Sequence, residues 1–276
     1  MKNFSVNEEL CVLCGLCAQD CFFGLIKLDE YPKISDDDKC FECQHCLSIC
    51  PTGAISILGK SAEDCTPLKG NMPGEDQVSA LIKGRRSVRA YKPEPLEPER
   101  IQKLLDTAWH APTGVNSRCV HITLMDDPDS VKKFSNEVYA RLDEAIEKGV
   151  SEIPYVANLF KMISNNMKEN GVDMLFRDAP HFIIVSAPET APSRMADMSI
   201  FLSYFELMAQ SMKIGTLWNG LLKRVIESIL PDLKEKLGIP ADHELGYAML
   251  FGKPAVKYQR TVERGEARVR RVEWGD

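Results

Sequence analysis

Cys11-Val12-Leu13-Cys14-Gly15-Leu16-Cys17-Ala18-Gln19-Asp20-Cys21 and, 29 residues on, Cys40-Phe41-Glu42-Cys43-Gln44-His45-Cys46-Leu47-Ser48-Ile49-Cys50 decide how this chain is read. Each run has the spacing C-x2-C-x2-C-x3-C, and Pro51 stands directly behind the second. Thiolates two intervening residues apart wrap a loop around one iron–sulfur cube, and a fourth ligand must come from elsewhere. Disulfide pairing suits a secreted domain, and no secretory pattern precedes these runs. Zinc sites usually show pairs separated by a spacer rather than quartets. The offset of 29 aligns every cysteine, and it also aligns Gly24, Ile26 and Leu28 with Gly53, Ile55 and Ile57. A pseudo-symmetric fold with two clusters needs such a duplication.

The spacing resembles that of the bacterial two-cluster ferredoxins, in which the fourth cysteine of each run ligates the other cluster. The resemblance implies one [4Fe-4S] cluster on Cys11, Cys14, Cys17 and Cys50, and a second on Cys40, Cys43, Cys46 and Cys21. Phe22, not proline, follows Cys21, a departure that removes no ligand. His45 lies between ligand cysteines, but a complete quartet leaves it nothing to bind.

The chain has 276 residues, enough for about two domains. Its apolar fraction of 44% and charged fraction of 27% are those of an ordinary globular protein. No run approaches the roughly 20 apolar residues of a membrane span. Ten cysteines without an export pattern point to a reducing compartment, so the expected address is the cytoplasm. Residues 1–60 hold nine acidic and five basic residues. That excess discourages nucleic-acid binding, whose affinity comes from neutralising phosphates.

The composition changes at residues 61–74, where Ser, Asp, Thr, Pro and Gly crowd together without apolar periodicity. The expected organisation is therefore a cluster domain over 1–60, a linker over 61–74 and a second domain over 75–276. Helix signals begin near Glu75, with Val78, Leu81 and Ile82 on one face. A second helix shows Ile101, Leu104, Leu105, Ala108 and Trp109 as a core-facing stripe, ended by Pro112. Residues 120–125, 181–187 and 244–251 read as strands. Helices are expected over about 129–174, with a break near 149–154, and over 197–213, with Gly215 at the terminus. Alternating strands and helices argue an α+β or α/β second domain.

Four segments of this domain carry chemistry. Arg85-Arg86-Ser87-Val88-Arg89-Ala90-Tyr91 offers guanidinium groups suited to bidentate phosphate contacts, although such a run alone is more often a solvated basic patch. Ala111-Pro112-Thr113-Gly114-Val115-Asn116-Ser117 makes a polar turn, Gly215-Thr216-Leu217-Trp218-Asn219-Gly220 a glycine-bounded one, and Phe251-Gly252-Lys253-Pro254 leads to Lys257 and Arg260. In this order they resemble the FMN-dependent nitroreductase family over about residues 76–262. The resemblance implies an α+β domain binding FMN. Arg85, Arg86, Ser87, Arg89, Lys257 and Arg260 would gather at the phosphate. Pro112, Thr113, Gly114 and Asn116 would lie at the ring or ribityl chain, and Trp218, Asn219 and Gly220 would bring backbone amides to the ring. It also implies a homodimer with the flavin at the interface. Two departures stand out: Ser117-Arg118-Cys119 replaces the family's Ser-Gln-Pro, and Lys213-Ile214 precedes Gly215 where the family commonly has another glycine.

No G-x-G-x-x-G, P-loop or H-E-x-x-H occurs. The expected protein is thus an iron–sulfur flavoprotein with no side chain as general acid. Electrons from a low-potential donor, such as a ferredoxin, would pass through two [4Fe-4S] clusters to FMN and on to a small nitroaromatic- or quinone-like acceptor. Residues 131–171 are a candidate lid, with Tyr155, Phe160 and Met162 as substrate contacts. The rival reading is a non-enzymatic electron-transfer or redox-sensing protein between protein partners.

Overall fold

The computed structural model describes residues 2–149 and 154–275, and the chain divides into two compact units. The first comprises Met1–Pro73 together with Thr113–Arg118; the second comprises Gly74–Pro112 and Cys119–Asp276. Two features depart from the expected boundaries. Residues 61–73 belong to the first unit, where Ser61 caps a 3-10 turn over Ala62–Asp64, and residues 113–118 interrupt the second.

In the first unit β1 (Ser5–Val6) pairs antiparallel with β4 (Ile55–Ser56), and β2 (Ile26–Leu28) with β3 (Pro32–Ile34). The repeat of the sequence is reproduced in the backbone. Helices α1 (Leu16–Gln19) and α2 (His45–Ile49) start at equivalent places, each from a left-handed residue, Gly15 at φ 73° and Gln44 at φ 58°. Leu13 and Glu42, also equivalent, share φ values of 52° and 55°. Behind each last cysteine a turn closes on glycine, with Gly24 N–H donating to the Cys21 carbonyl at 2.8 Å and Gly53 N–H to that of Cys50 at 3.3 Å. Left-handed backbone at non-glycine residues persists only where the surroundings dictate it.

The two turn glycines differ in what surrounds them, which gives a first prediction. Both have positive φ, but a Cβ on Gly24 meets nothing within 4 Å, whereas on Gly53 it falls 2.7 Å from the Ala62 Cβ. Gly24→Ala should cost about 1 kcal/mol of backbone strain, and Gly53→Ala about 2 kcal/mol or more, since a methyl cannot rotate aside. Faster hydrogen exchange at the Asn7 amide, which donates to the Ala54 carbonyl beside the β1–β4 pair, should follow that order; equal effects would contradict it.

The second unit is a four-stranded antiparallel sheet between helices. Its strand order is β5 (His121–Met125), β6 (His181–Pro188), β8 (His243–Gly252), β7 (Gly215–Trp218). Alternation along β6 and β8 sorts two cores. Phe182, Ile184, Ala248 and Leu250 face one side, with Phe134, Val138 and Leu142 of α5 (Pro128–Glu147) and Phe160 and Ile163 of α6 (Pro154–Asn170). Ile183, Val185, Met249 and Phe251 face the other, with Ile101 and Leu104 of α4 (Pro98–Ala108) and Phe201 and Phe205 of α7 (Arg194–Ser211). Because both faces are covered, residues 181–187 are buried without interruption. Fold class and the three expected strands agree with this α+β architecture.

Several local expectations need correction. On α3 (Glu75–Gly84), Val78 and Ile82 are exposed, so the apolar face is not core within this unit. Trp109 is the C-cap of α4 rather than part of its stripe, and it is 46% exposed; the helix ends before Pro112. Gly215 does not terminate α7 but opens β7; Lys213, at φ 59°, takes the left-handed place after the helix. Phe160 is wholly buried between α6 and the sheet and cannot touch a substrate, whereas Tyr155 and Met162 are exposed. The expected break near 149–154, and the middle of the expected lid, fall on residues 150–153, outside the described residues.

Candidate functional site

The first unit encloses two hollows of similar size. One, with about 310 Å³ of empty space, is lined by Cys11, Cys14, Cys17 and Cys50 together with Val12, Gly15, Thr52 and Ile55. The other, with about 340 Å³, is lined by Cys21, Cys40, Cys43 and Cys46 together with Leu25, Ile34, His45 and Ile57. Cys50 thus lines the hollow of the first run, and Cys21 that of the second. Among the described residues no three His, Cys, Asp or Glu side chains converge as a single-ion site. A zinc ion would draw four sulfurs to about 2.3 Å from one point. Quartets set around hollows instead fit a larger inorganic cluster.

The exchanged cysteines are treated alike. Leu25 N–H donates to Cys21 Sγ at 3.3 Å and Ala54 N–H to Cys50 Sγ at 3.2 Å, again at the same offset. Amide donors to sulfur stabilise charge there and tune a cluster's potential. The Cys50 thiol lies below its ordinary range: burial alone would raise it, but the amides of Thr52, Ala54 and Ile55 and the Thr52 hydroxyl outweigh burial. Cys46, deeper, is pushed up to about 11 by burial, and Cys17 is raised for the same reason. His45 Nδ1 sits 3.0 Å from the Asp20 carboxylate. Cys65 is exposed, outside both hollows.

One edge of the second unit gathers several of the basic residues singled out in the sequence. The carboxy-terminal tail returns beside residues 83–92. Lys92 N–H donates to the Lys253 carbonyl, Ala255 N–H to the Ala90 carbonyl, and the Tyr258 hydroxyl to the Ser87 carbonyl at 3.3 Å. This register brings the segment holding Lys257 and Arg260 alongside Arg86 and Ser87; both side chains are exposed, as is Arg89. Arg86 donates through Nη2 to the Lys83 carbonyl at 3.3 Å, and its Nε is buried without a partner. An orphaned guanidinium nitrogen beside a basic tail segment fits an anionic group such as a phosphate.

Arg85 is placed otherwise. Its Nη1 donates to Glu206 Oε1 at 3.2 Å, and Thr216 Oγ1 donates to the same oxygen at 3.2 Å. Glu206 is buried in α7, so Arg85 neutralises an internal carboxylate. Sequence reading passed over Glu206, although it is the only charged residue between Met198 and Ser211. That isolation on an apolar helix was the available signal.

The glycine-bounded turn is largely filled by the chain itself. A Cβ on Gly215 would strike Val88, and one on Gly220 would come within 2.7 Å of the Tyr247 hydroxyl. Trp218 packs edge-on against Tyr247 at 5.3 Å. Asn219, 4% exposed, caps α8 (Gly220–Arg224) by accepting from Leu222 N–H and donates to the Leu175 carbonyl. Close approach here serves side-chain packing, and the Asn219 side chain is engaged structurally.

Pro112 is exposed at the end of the second unit's first segment. Thr113 accepts from Arg118 N–H through Oγ1, and Gly114 to Asn116 form a 3-10 turn. The Asn116 amide donates to the Phe41 carbonyl at 2.7 Å, and Arg118 Nη2 to Glu42 Oε2 at 2.9 Å, all within the first unit. Phe41 and Glu42 carried no role in the sequence reading.

Comparison with known proteins follows this division. Residues 10–55 match the 4Fe-4S dicluster domain, and residues 82–253 match the nitroreductase family. The chain is 23% identical over 207 residues to nitroreductase NfnB of Mycolicibacterium smegmatis, covering 66% of this chain and 80% of that protein. It is 39% identical over 62 residues to the methylamine utilization ferredoxin-type protein MauM of Methylobacillus flagellatus, 18% of this chain and 26% of that protein. Its fold resembles a nitroreductase with bound FMN from Bacteroides fragilis, with TM-score 0.56 at 19% identity, covering 71% of this chain and 99% of the other. With more than half of its length on one family model, the chain belongs to the nitroreductase family and carries a 4Fe-4S dicluster domain ahead of that domain.

Proposed function

We propose that the chain is an oxidoreductase in which electrons from a low-potential donor enter at the dicluster domain and leave to a small organic acceptor at the flavin site. Membership of the family makes it an FMN-dependent oxidoreductase, and the dicluster domain makes it an iron–sulfur protein. The observation that carries the route is the pair of cysteine-lined hollows, which gives a flavin enzyme an inlet for single electrons. When bound, clusters carry electrons singly and a flavin delivers them in pairs to an organic molecule.

The chain's own residues set the conditions. Cys11, Cys14, Cys17 and Cys50 hold one cluster, and Cys21, Cys40, Cys43 and Cys46 the other. Arg86, Ser87 and Arg89, with Lys257 and Arg260 of the tail, receive the flavin phosphate, and Thr113 and Gly114 border the ring or ribityl chain. Arg85 supports this edge through Glu206 rather than by direct contact. No side chain is assigned as general acid; protons come from water. The acceptor is of the nitroaromatic or quinone class and the donor a reduced ferredoxin. The working form is a homodimer with the flavin at its interface, and the address is the cytoplasm. Among the described residues no helix is long and apolar enough to cross a membrane.

Anaerobically purified protein should contain about eight irons and one FMN per chain. Mixed with reduced ferredoxin, it should bleach its clusters first and its flavin second, then reoxidise on adding a small nitroaromatic. Reoxidation by protein acceptors alone would favour the electron-transfer rival, and a flavin that stays oxidised while the clusters bleach would sink the route.

A further inference from the structure

The duplicated cluster domain is not treated symmetrically by the rest of its unit. Residues 113–118 leave the second unit at Pro112, join the first, and return at Cys119. Asn116 donates to the Phe41 carbonyl at 2.7 Å, and Arg118 donates to the Glu42 carboxylate at 2.9 Å. Phe41 and Glu42 are the two residues between Cys40 and Cys43, so both grips fall on the loop around the second hollow. The equivalent residues of the first run, Val12 and Leu13, are exposed apolar side chains.

The clasp is well defined on both sides. Glu42 also receives Lys2, so its carboxylate is held between two cations. Glu42, Val115, Asn116 and Arg118 all have left-handed backbone, at φ 55°, 49°, 54° and 48°. Such conformations are retained where neighbouring contacts enforce them, and they gather at working parts of proteins. Phe41 also packs with the two residues behind Cys21, at 4.6 Å from Phe23 and 6.5 Å from Phe22 between ring centroids. The gripped loop thus also packs, through Phe41, on the two residues that follow the crossing ligand Cys21.

We propose that the cluster of Cys21, Cys40, Cys43 and Cys46 is the one that delivers electrons to the flavin, with Asn116 and Arg118 as the residues that position it. The inference rests on the reading that Thr113 and Gly114 border the flavin. Peptide bonds at both ends tie these residues to the nitroreductase fold, so what they grip is tethered to that fold through the chain itself. The bare loop at Val12 and Leu13 leaves the other cluster open to an external donor. Each passage oxidises the low-potential donor by one electron. Two passages, with two protons from water, supply the pair that the organic acceptor takes, and no bond of the protein forms or breaks.

The test uses Arg118→Glu, Glu42→Arg and the double exchange in holoprotein with verified iron and flavin. Reduced two-cluster ferredoxin is mixed in rapidly, and the reaction is followed by absorbance and freeze-quench EPR. Each single variant should reduce its clusters at the normal rate but its flavin about tenfold or more slowly, with reduced second cluster accumulating in EPR. The double exchange should recover most of the rate. Flavin reduction at the wild-type rate in both single variants would overturn this inference alone. Slow flavin reduction in Leu13→Glu while both clusters stand reduced would place the exit at the first cluster and overturn it too. Wild-type protein that never passes electrons to flavin would overturn the functional reading together with it.

Discussion

Cys46→Ser should halve the iron of the protein, from about eight to about four per chain, and loosen the whole first unit. Serine offers an oxygen where a soft thiolate is needed, and it leaves a hydroxyl in an apolar pocket. Cys46 is buried beside Leu47, Ile55 and Ile57, and Cys17 beside Ile26, so the ligands are themselves part of the small core. Among the largest fully buried side chains of the described residues, only Ile55 and Ile57 belong to this unit. A core with so few large buried side chains is marginal by itself, and ligation energy there is folding energy. Because Cys21 and Cys50 cross between quartets, loss of one cluster should also weaken the other. The readings are iron and sulfide per chain, together with limited proteolysis of residues 1–73. Flavin content should hold, since the second unit has its own two cores. Cys65→Ser, at an exposed thiol outside both hollows, is the matching control and should leave iron unchanged. Full iron in Cys46→Ser would remove it from the ligand set.

The cysteine hollows were legible because their information is local and repeated. Spacing within each run fixes the loop, and the 29-residue offset announces the second copy, down to the amide donors at Leu25 and Ala54. Three of the four strands of the second unit were legible for a related reason: a sheet covered on both faces shows an unbroken apolar run such as residues 181–187, whereas β7 was read as a turn. What escaped reading depends on partners far along the chain. Arg85 finds Glu206 across 121 residues and Asn116 finds Phe41 across 75, and nothing in the local pattern specifies either. Trp109 continued a helical stripe on paper, but the helix ended one residue earlier. Gly215 looked like a helix stop, yet it is needed where the Val88 side chain presses on the backbone. In each case a valid local rule yielded to tertiary packing.

Arg85→Ala and Arg86→Ala should therefore fail in different ways, although the two residues are adjacent and chemically alike. Removing Arg85 leaves Glu206 buried, with Thr216 Oγ1 still donating to it but the Arg85 counter-charge gone. Breaking a buried pair from one side costs about 3–5 kcal/mol; with Arg85 partly solvated, about 2–3 kcal/mol is expected here, or a fall of several degrees in the melting of the second unit. Glu206→Gln on the Arg85→Ala background should recover much of that loss, because the amide removes the uncompensated charge. Among the described residues Arg86 shows no such internal ion pair. Its Nη2 donates to the Lys83 carbonyl, while Nε is buried and unmet. Arg86→Ala should thus leave the melting of flavin-free protein nearly unchanged but weaken FMN about tenfold to a hundredfold, the worth of one charge-assisted contact of about 1.5–3 kcal/mol. Fluorescence titration of FMN and calorimetry of the flavin-free forms separate the two effects. If Arg85→Ala melts normally and loses flavin while Arg86→Ala unfolds, the roles are reversed, and the ion pair with Glu206 is incidental. If they behave as expected, two adjacent arginines divide the work, one stabilising the edge of the sheet and the other reserved for the anion that binds beside it.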